Sequence, residues 1–209
     1  MLFNRLSGSE IDLKEILARI RMLADQIHQS LEVSEILKII VSEVRKTLES
    51  DVYDGLRLRA IIYRFLDDGD GVIKEESVSH GWKPILGQLI YHPCFNATWV
   101  EQYRDGYVGV IEYINTTTLD PCYKKLLIDL QIRANLVVPI LVNNQEVDGV
   151  SSTYPHLWGL LIAHQWSGPR QWSALEIEYL QLVAAELRIA LGEAERHQRR
   201  VISCQKLTP

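Results

Sequence analysis

Nine consecutive residues, Leu157-Trp158-Gly159-Leu160-Leu161-Ile162-Ala163-His164-Gln165, constrain the fold more than any other stretch. The run is apolar at nearly every position. As a strand it offers no face to water, so it belongs at the centre of a sheet covered on both sides. Asn135 to Val142, with Leu136-Val137-Val138-Pro139-Ile140 at its heart, reads as a second buried strand. Between strands of this kind the chain must supply covering layers.

Helices supply one layer. Val33 to Leu48 repeats apolar residues at Val33, Ile36, Leu37, Ile40, Val41, Val44 and Leu48, a helical period. Glu10 to Gln29 does the same with Leu13, Ile16, Leu17, Ile20, Leu23, Ala24 and Ile27. Its stripe suits either its own domain or a partner helix. Ser173-Ala174-Leu175-Glu176 is an S-x-x-E capping box that opens a last long helix, with Leu180, Val183, Leu187, Ala190, Leu191 and Ala194 on one stripe. Ala60 to Phe65 and Val72 to Ser79 read as a hairpin about the turn Asp67 to Gly71. Tyr107 to Ile114 reads as a further strand. Residues 80–105 are broken by Gly81, Pro84, Gly87 and Pro93, and long irregular segments in compact domains tend to carry function. Residues 1–9 and 203–209 read as loosely ordered ends. The order of elements predicts an α+β fold: an antiparallel sheet with helices to one side and a crevice on the other.

Bulk properties exclude several function classes. The 209 residues are 47% hydrophobic and 23% charged, with a net charge of -5, which suits a globular protein and gives no reason to expect nucleic acid. Arg196, Arg199 and Arg200 form a short basic cluster that reads as a solvated helix end. No apolar run reaches the length of a membrane span. Three cysteines give neither a disulfide framework nor a zinc spacing, so a reducing, cytoplasmic setting is expected. The acidic turn at residues 67–71 lacks the ligand ladder of a calcium loop.

One cysteine sits in a chemically suggestive place. Asp120 is a good N-cap and Pro121 suits the first helical position, so Cys122 falls in the first turn of a helix running to about Leu130. Backbone N–H groups there, with Lys124 and Lys125, favour a thiolate, while Asp120 opposes it. The residues alone allow an attachment thiol, a nucleophile or a small packing residue.

Three motifs in order carry a resemblance. Asp120-Pro121-Cys122-Tyr123, the strand Leu157 to Gln165, and Ser167-Gly168-Pro169-Arg170-Gln171-Trp172 resemble a cyanobacteriochrome GAF domain, a light-sensing module of the phytochrome superfamily. The likeness runs from about residue 30 to residue 196, with residues 1–29 as a flanking helix and 197–209 as an extension. It implies a GAF fold and a covalently bound linear tetrapyrrole, phycocyanobilin or its isomer phycoviolobilin. It implies Cys122 as the tether, through a thioether to the first ring. Tyr123 stands where most relatives have His, and would lie against the tetrapyrrole. Tyr91-His92-Pro93-Cys94-Phe95, with Cys94 28 residues before Cys122, resembles the Asp-Xaa-Cys-Phe motif of the dual-cysteine branch. There a second thiol adds reversibly to the central methine bridge, cuts the conjugation and shifts absorption to the blue. Blue- and green-absorbing forms are therefore expected. His92 replaces the motif's Asp. A neutral imidazole supports a buried cation less well than a carboxylate, so colour should depend on pH.

Further pocket residues follow from the resemblance with alternatives open. His164 is either near the chromophore or a hydrogen-bonded core residue. Trp82 and Trp99 flank Cys94 and would cover the chromophore. Trp158 reads as packing, and Trp166 as pocket or surface. Arg104 and Arg133 either pair with propionates or face solvent. The output is not encoded: no nucleotide-binding, kinase or cyclase motif is present, so the terminal helices would signal to a partner, a second copy or domains outside this chain. Two other functions remain in view. One is a GAF domain that binds a small regulatory molecule without photochemistry. The other is an enzyme with Cys122 as nucleophile and His92 or His164 as base, which no surrounding motif supports.

Overall fold

The computed structural model describes residues 12–49, 58–66, 70–90, 97–142 and 155–205. Among these are five helices, α1 (Leu13–Ile27), α2 (Val33–Leu48), α3 (Ala97–Arg104), α4 (Pro121–Asp129) and α5 (Ala174–Gln205). Six strands accompany them: β1 (Leu58–Phe65), β2 (Gly71–Val78), β3 (Leu89–Ile90), β4 (Gly109–Ile111), β5 (Ala134–Val142) and β6 (His156–Gln165). The strands form one antiparallel sheet in the order β3-β2-β1-β6-β5-β4. The α+β expectation holds, and β6 is central and buried along all but its first residue.

Alternation along the strands gives the sheet two unlike faces. Leu58, Ala60 and Ile62 of β1, Leu136, Val138 and Ile140 of β5, and Leu161 and Ala163 of β6 point to one side. There they pack against Ile36, Leu37, Ile40 and Val44 of α2 and Leu180, Val183, Leu187 and Leu191 of α5. Each fully buried aliphatic side chain contributes about 1.5–3 kcal/mol. Ile61, Tyr63, Val137, Leu160 and Ile162 point to the other side, toward α3 and Ile73, Ile85 and Ile90. A register shift between Ile140 and Leu141 lets Trp158 join the helical layer while Leu157 joins the opposite one. Gly159 allows the β1–β6 approach here: a Cβ at this position would lie 2.3 Å from the Tyr63 carbonyl oxygen.

The capping signals act as read. The Ser173 N–H donates to Glu176 Oε2 at 2.8 Å, and the Glu176 N–H donates to Ser173 Oγ at 3.2 Å. Of the α1 stripe, Ile16, Leu23 and Ile27 are buried against the domain, while Leu13 and Leu17 stay half exposed. His28, just past α1, ties it to α5: Nδ1 lies 2.9 Å from Glu193 and Nε2 lies 3.5 Å from Glu186.

Two expectations change. The irregular segment holds β3 and α3. Its glycines and prolines masked α3, whose signal is Trp99 and Tyr103 at i, i+4 on one helical face. The strand expected over Tyr107 to Ile114 is only Gly109–Ile111, because the chain then turns on the Tyr113 carbonyl, which accepts from the Thr116 and Thr117 N–H groups. The turn residues 67–69 and the loop 143–154 lie outside the described residues. No described helix is long and apolar enough to cross a membrane.

Candidate functional site

Helix α4 starts as the sequence dictates. Asp120 Oδ1 accepts from the Cys122 N–H at 2.8 Å and from the Tyr123 N–H at 3.3 Å. These are two of the orphan donors that would otherwise favour a thiolate, so the cap answers charge that the sequence alone assigns to Cys122. Cys122 is half-buried and disulfide-bonded in this structure. The side chains of Cys94 and Cys204, the other two cysteines, lie outside the described residues. Any chemistry of the Cys122 thiol therefore begins with reduction.

One residue further on, the helix turns Tyr123 back onto the sheet. Its hydroxyl oxygen accepts from Asn135 Nδ2 of β5 at 3.0 Å. Leu119 and Tyr123, on either side of Cys122, line a cavity of about 140 Å³ together with Trp99, Tyr103 and Tyr107, Gly109, Val110 and Ile111, Thr117 and Thr118, Asn135 and Val137. Its aromatic wall is continuous: the Trp99 ring centroid is 5.9 Å from that of Tyr123 and 6.4 Å from those of Tyr103 and Tyr107. Burial pushes the Tyr123 phenol up to about 12, with the Asn135 hydrogen bond acting against it, and raises Tyr103 further. Both phenols stay protonated at any physiological pH.

A polar row crosses the same sheet face. Arg59 of β1 is opposite His164 of β6, which is opposite Asn135 of β5. All three are almost fully buried. Arg59 Nε lies 2.9 Å from Glu76 Oε1, off the hydrogen-bond line, so the contact is ionic. Arg59 Nη2 donates to the Lys83 carbonyl at 2.7 Å, and the guanidinium lies 4.3 Å over the Trp82 ring. Burial lowers the Arg59 pKa to about 10 against the pull of Glu76, which leaves it charged. His164 is held well below its ordinary range by burial and then by the Arg59 charge, so it is neutral. Arg59 Nη1, Trp82 Nε1, His164 Nδ1 and Asn135 Oδ1 are buried without hydrogen-bond partners among the described residues. Such atoms are rare in folded proteins and each costs about 1–3 kcal/mol. Four along one sheet face call for polar partners beyond the protein's own described groups, whether ordered water or a bound molecule.

The expected site residues divide. Tyr123 and Trp99 meet at the cavity, and His164 lies on the same face beside Asn135. Trp82 is buried at the other end of the row and packs at a tilt against Trp166, with centroids 4.7 Å apart. Arg104 ends α3 and is exposed; its charge, after burial and Arg64, holds His156 below its ordinary range. Arg133 is exposed too, and neither arginine lines the cavity. His92, Cys94 and Phe95 lie outside the described residues. Sequence reading missed Arg59, Glu76, Tyr103 and Asn135. Asn135 had a signal, a polar residue at the head of an apolar strand.

Residues 32–191 match the GAF domain family model. The blue-light absorbing form of the Thermosynechococcus elongatus PixJ GAF domain is 30% identical with a TM-score of 0.67, over 96% of this chain and 100% of that one. A cyanobacteriochrome receptor PixJ, solved dark and illuminated, is 36% identical with a TM-score of 0.63, over 76% of this chain and 94% of that one. A putative methyl-accepting chemotaxis protein of Synechocystis sp. is 32% identical over 84% of this chain, which spans only 16% of that protein's length. The chain belongs to the GAF domain family and, within it, to the cyanobacteriochrome class.

Proposed function

We propose that this chain is a light-sensing module that holds a linear tetrapyrrole on the polar face of its sheet, tethered at Cys122. The observation that carries this reading is the row of unpartnered buried atoms, His164 Nδ1 and Asn135 Oδ1 among them, beside an aromatic cavity flanked by the Cys122 turn. These groups fit a flat conjugated molecule with pyrrole N–H and lactam groups. Such a molecule supplies visible absorption, a double bond that light isomerises and a methine carbon open to a thiol. Once reduced, Cys122 would hold the tetrapyrrole through a thioether, its S–H adding across the exocyclic double bond of the first ring. No leaving group or oxidant is needed. Aromatic side chains then hold the ring planes, and neutral His164 offers a polar contact without charge.

The finer reading extends this one. The tetrapyrrole is phycocyanobilin or phycoviolobilin. Cys94 adds and leaves reversibly, which gives blue- and green-absorbing forms. Residues 30–196 form the sensory unit, and residues 1–29 and 197–209 the flanks that carry the signal. The half-exposed Leu13 and Leu17 of α1 suit a homodimer through the terminal helices. No turnover is assigned to the site. A cytoplasmic setting would keep Cys122 reduced. The output belongs to a partner or to domains outside this chain.

A second reading, a GAF domain holding a small regulatory ligand without photochemistry, draws on the cavity volume. About 140 Å³ is below the roughly 300–1,000 Å³ of sites that enclose a drug-sized ligand. Absorption separates the two. The reduced protein, made in cells supplying phycocyanobilin, is scanned in darkness and after blue and green light, with Cys94→Ala alongside. Blue and green forms in the parent, with the blue form lost in the variant, are expected. A colourless protein overturns the tetrapyrrole reading, and a coloured one without a blue form removes the role of Cys94.

A further inference from the structure

The cavity beside α4 differs from the rest of the polar face in one respect. Arg59 and Glu76 put charge at the far end of the row, but no Lys, Arg, His, Asp or Glu among the described residues lines the cavity itself. Its walls are aromatic and aliphatic, with two threonines and one buried amide. That amide is Asn135, 1% exposed. Its Nδ2 is committed to Tyr123, so its Oδ1 is fixed in direction and lacks a hydrogen-bond partner. A buried acceptor of this kind selects a ligand that brings a donor. A phosphate or a carboxylate brings only acceptors at neutral pH, and among the described residues lining the cavity it meets no cation to offset its desolvation. A flat, neutral ring with an N–H meets both requirements.

We infer that Asn135 is a specificity-determining residue, whose Oδ1 accepts the N–H of one terminal lactam ring of the tetrapyrrole in the Trp99–Tyr103–Tyr123 cavity. This deepens, and rests on, the tetrapyrrole reading above. The small cavity then holds one ring rather than the whole molecule. The propionate-bearing middle rings lie outside it, where water screens their charge.

The test uses the protein without reductant, so that the Cys122 disulfide prevents attachment and binding stays reversible. Tryptophan fluorescence is titrated with phycocyanobilin and with a phycocyanobilin methylated on its terminal lactam nitrogens. The parent protein should prefer the N–H form by about fivefold, the scale of one net hydrogen bond. Asn135→Leu, or Asn135→Ala if the leucine variant does not fold, should abolish the preference while leaving most of the affinity. A preference that survives in the variant, or no preference in the parent, overturns the inference and leaves the tetrapyrrole reading standing. Failure of the parent to bind phycocyanobilin overturns both.

Discussion

The two faces of the sheet are built from the same strands and obey different rules. On the helical face, residues such as Ile62, Leu136 and Leu161 are aliphatic, fully buried and matched by α2 and α5. On the opposite face, the register that aligns Arg59, His164 and Asn135 leaves buried polar atoms without partners. The first face stabilises the fold. The second gives up stability, and on the reading proposed above it does so to keep polar groups ready for a ligand. Alternation with a period of two lets one strand serve both ends without conflict.

The contrast predicts a ranking of mutational effects. Glu76→Leu should be the most damaging, at about 3–5 kcal/mol in denaturant unfolding, because it leaves the buried Arg59 charge uncompensated. A loss below about 1 kcal/mol would mean that Arg59 is not held by that pair. Leu161→Ala on the helical face should cost about 2–5 kcal/mol by opening a cavity. Asn135→Leu, one strand away on the polar face, should cost less than about 1 kcal/mol, since it removes an unpaired acceptor along with its single hydrogen bond. Equal losses for Leu161→Ala and Asn135→Leu would erase the distinction between the faces.

Acid sharpens the comparison through two histidines of opposite sign. The folded pKa of His164 is depressed by burial and by Arg59, so below about pH 6.5 the unfolded chain takes up a proton that the folded protein refuses. Stability should then fall by up to about 1.4 kcal/mol per pH unit, and His164→Gln should remove that slope. His28, in the helical layer, has its folded pKa raised by its hydrogen bond to Glu193 and by the Glu193 and Glu186 charges. Its contribution is fully present below about pH 6.5 and is lost as pH rises through the raised value. His28→Gln should change stability by only a few tenths of a kcal/mol, measured below that value, since the pair is partly exposed. A larger acid effect in His28→Gln than in His164→Gln would reverse the assignment.

The same contrast explains what could be read in the sequence. The helical face writes itself in periodic aliphatics, so α2, β1, β5 and β6 were legible to within two residues, and α5 from its cap onward, though it runs on to Gln205 into the end that read as loosely ordered. Caps were legible because their chemistry is local, as at Asp120 and Ser173. The polar face is assembled across strands. Nothing near Arg59 in the chain points to Glu76, and nothing near His164 points to Asn135; only the sheet register joins them. Helix α3 was hidden for a different reason, since eight residues give too short a period to stand out among glycines and prolines. Cys122 was legible through its cap and the resemblance of its neighbours, but not its disulfide.

That disulfide also sets the decisive measurement. The reduced protein is incubated with phycocyanobilin, digested, and the peptide carrying Cys122 is weighed by mass spectrometry, with unreduced protein as the control. The account predicts one tetrapyrrole mass on Cys122 after reduction and none without it. An unmodified Cys122 peptide in the reduced sample, or attachment at another residue, would contradict the assignment of this face as the chromophore site.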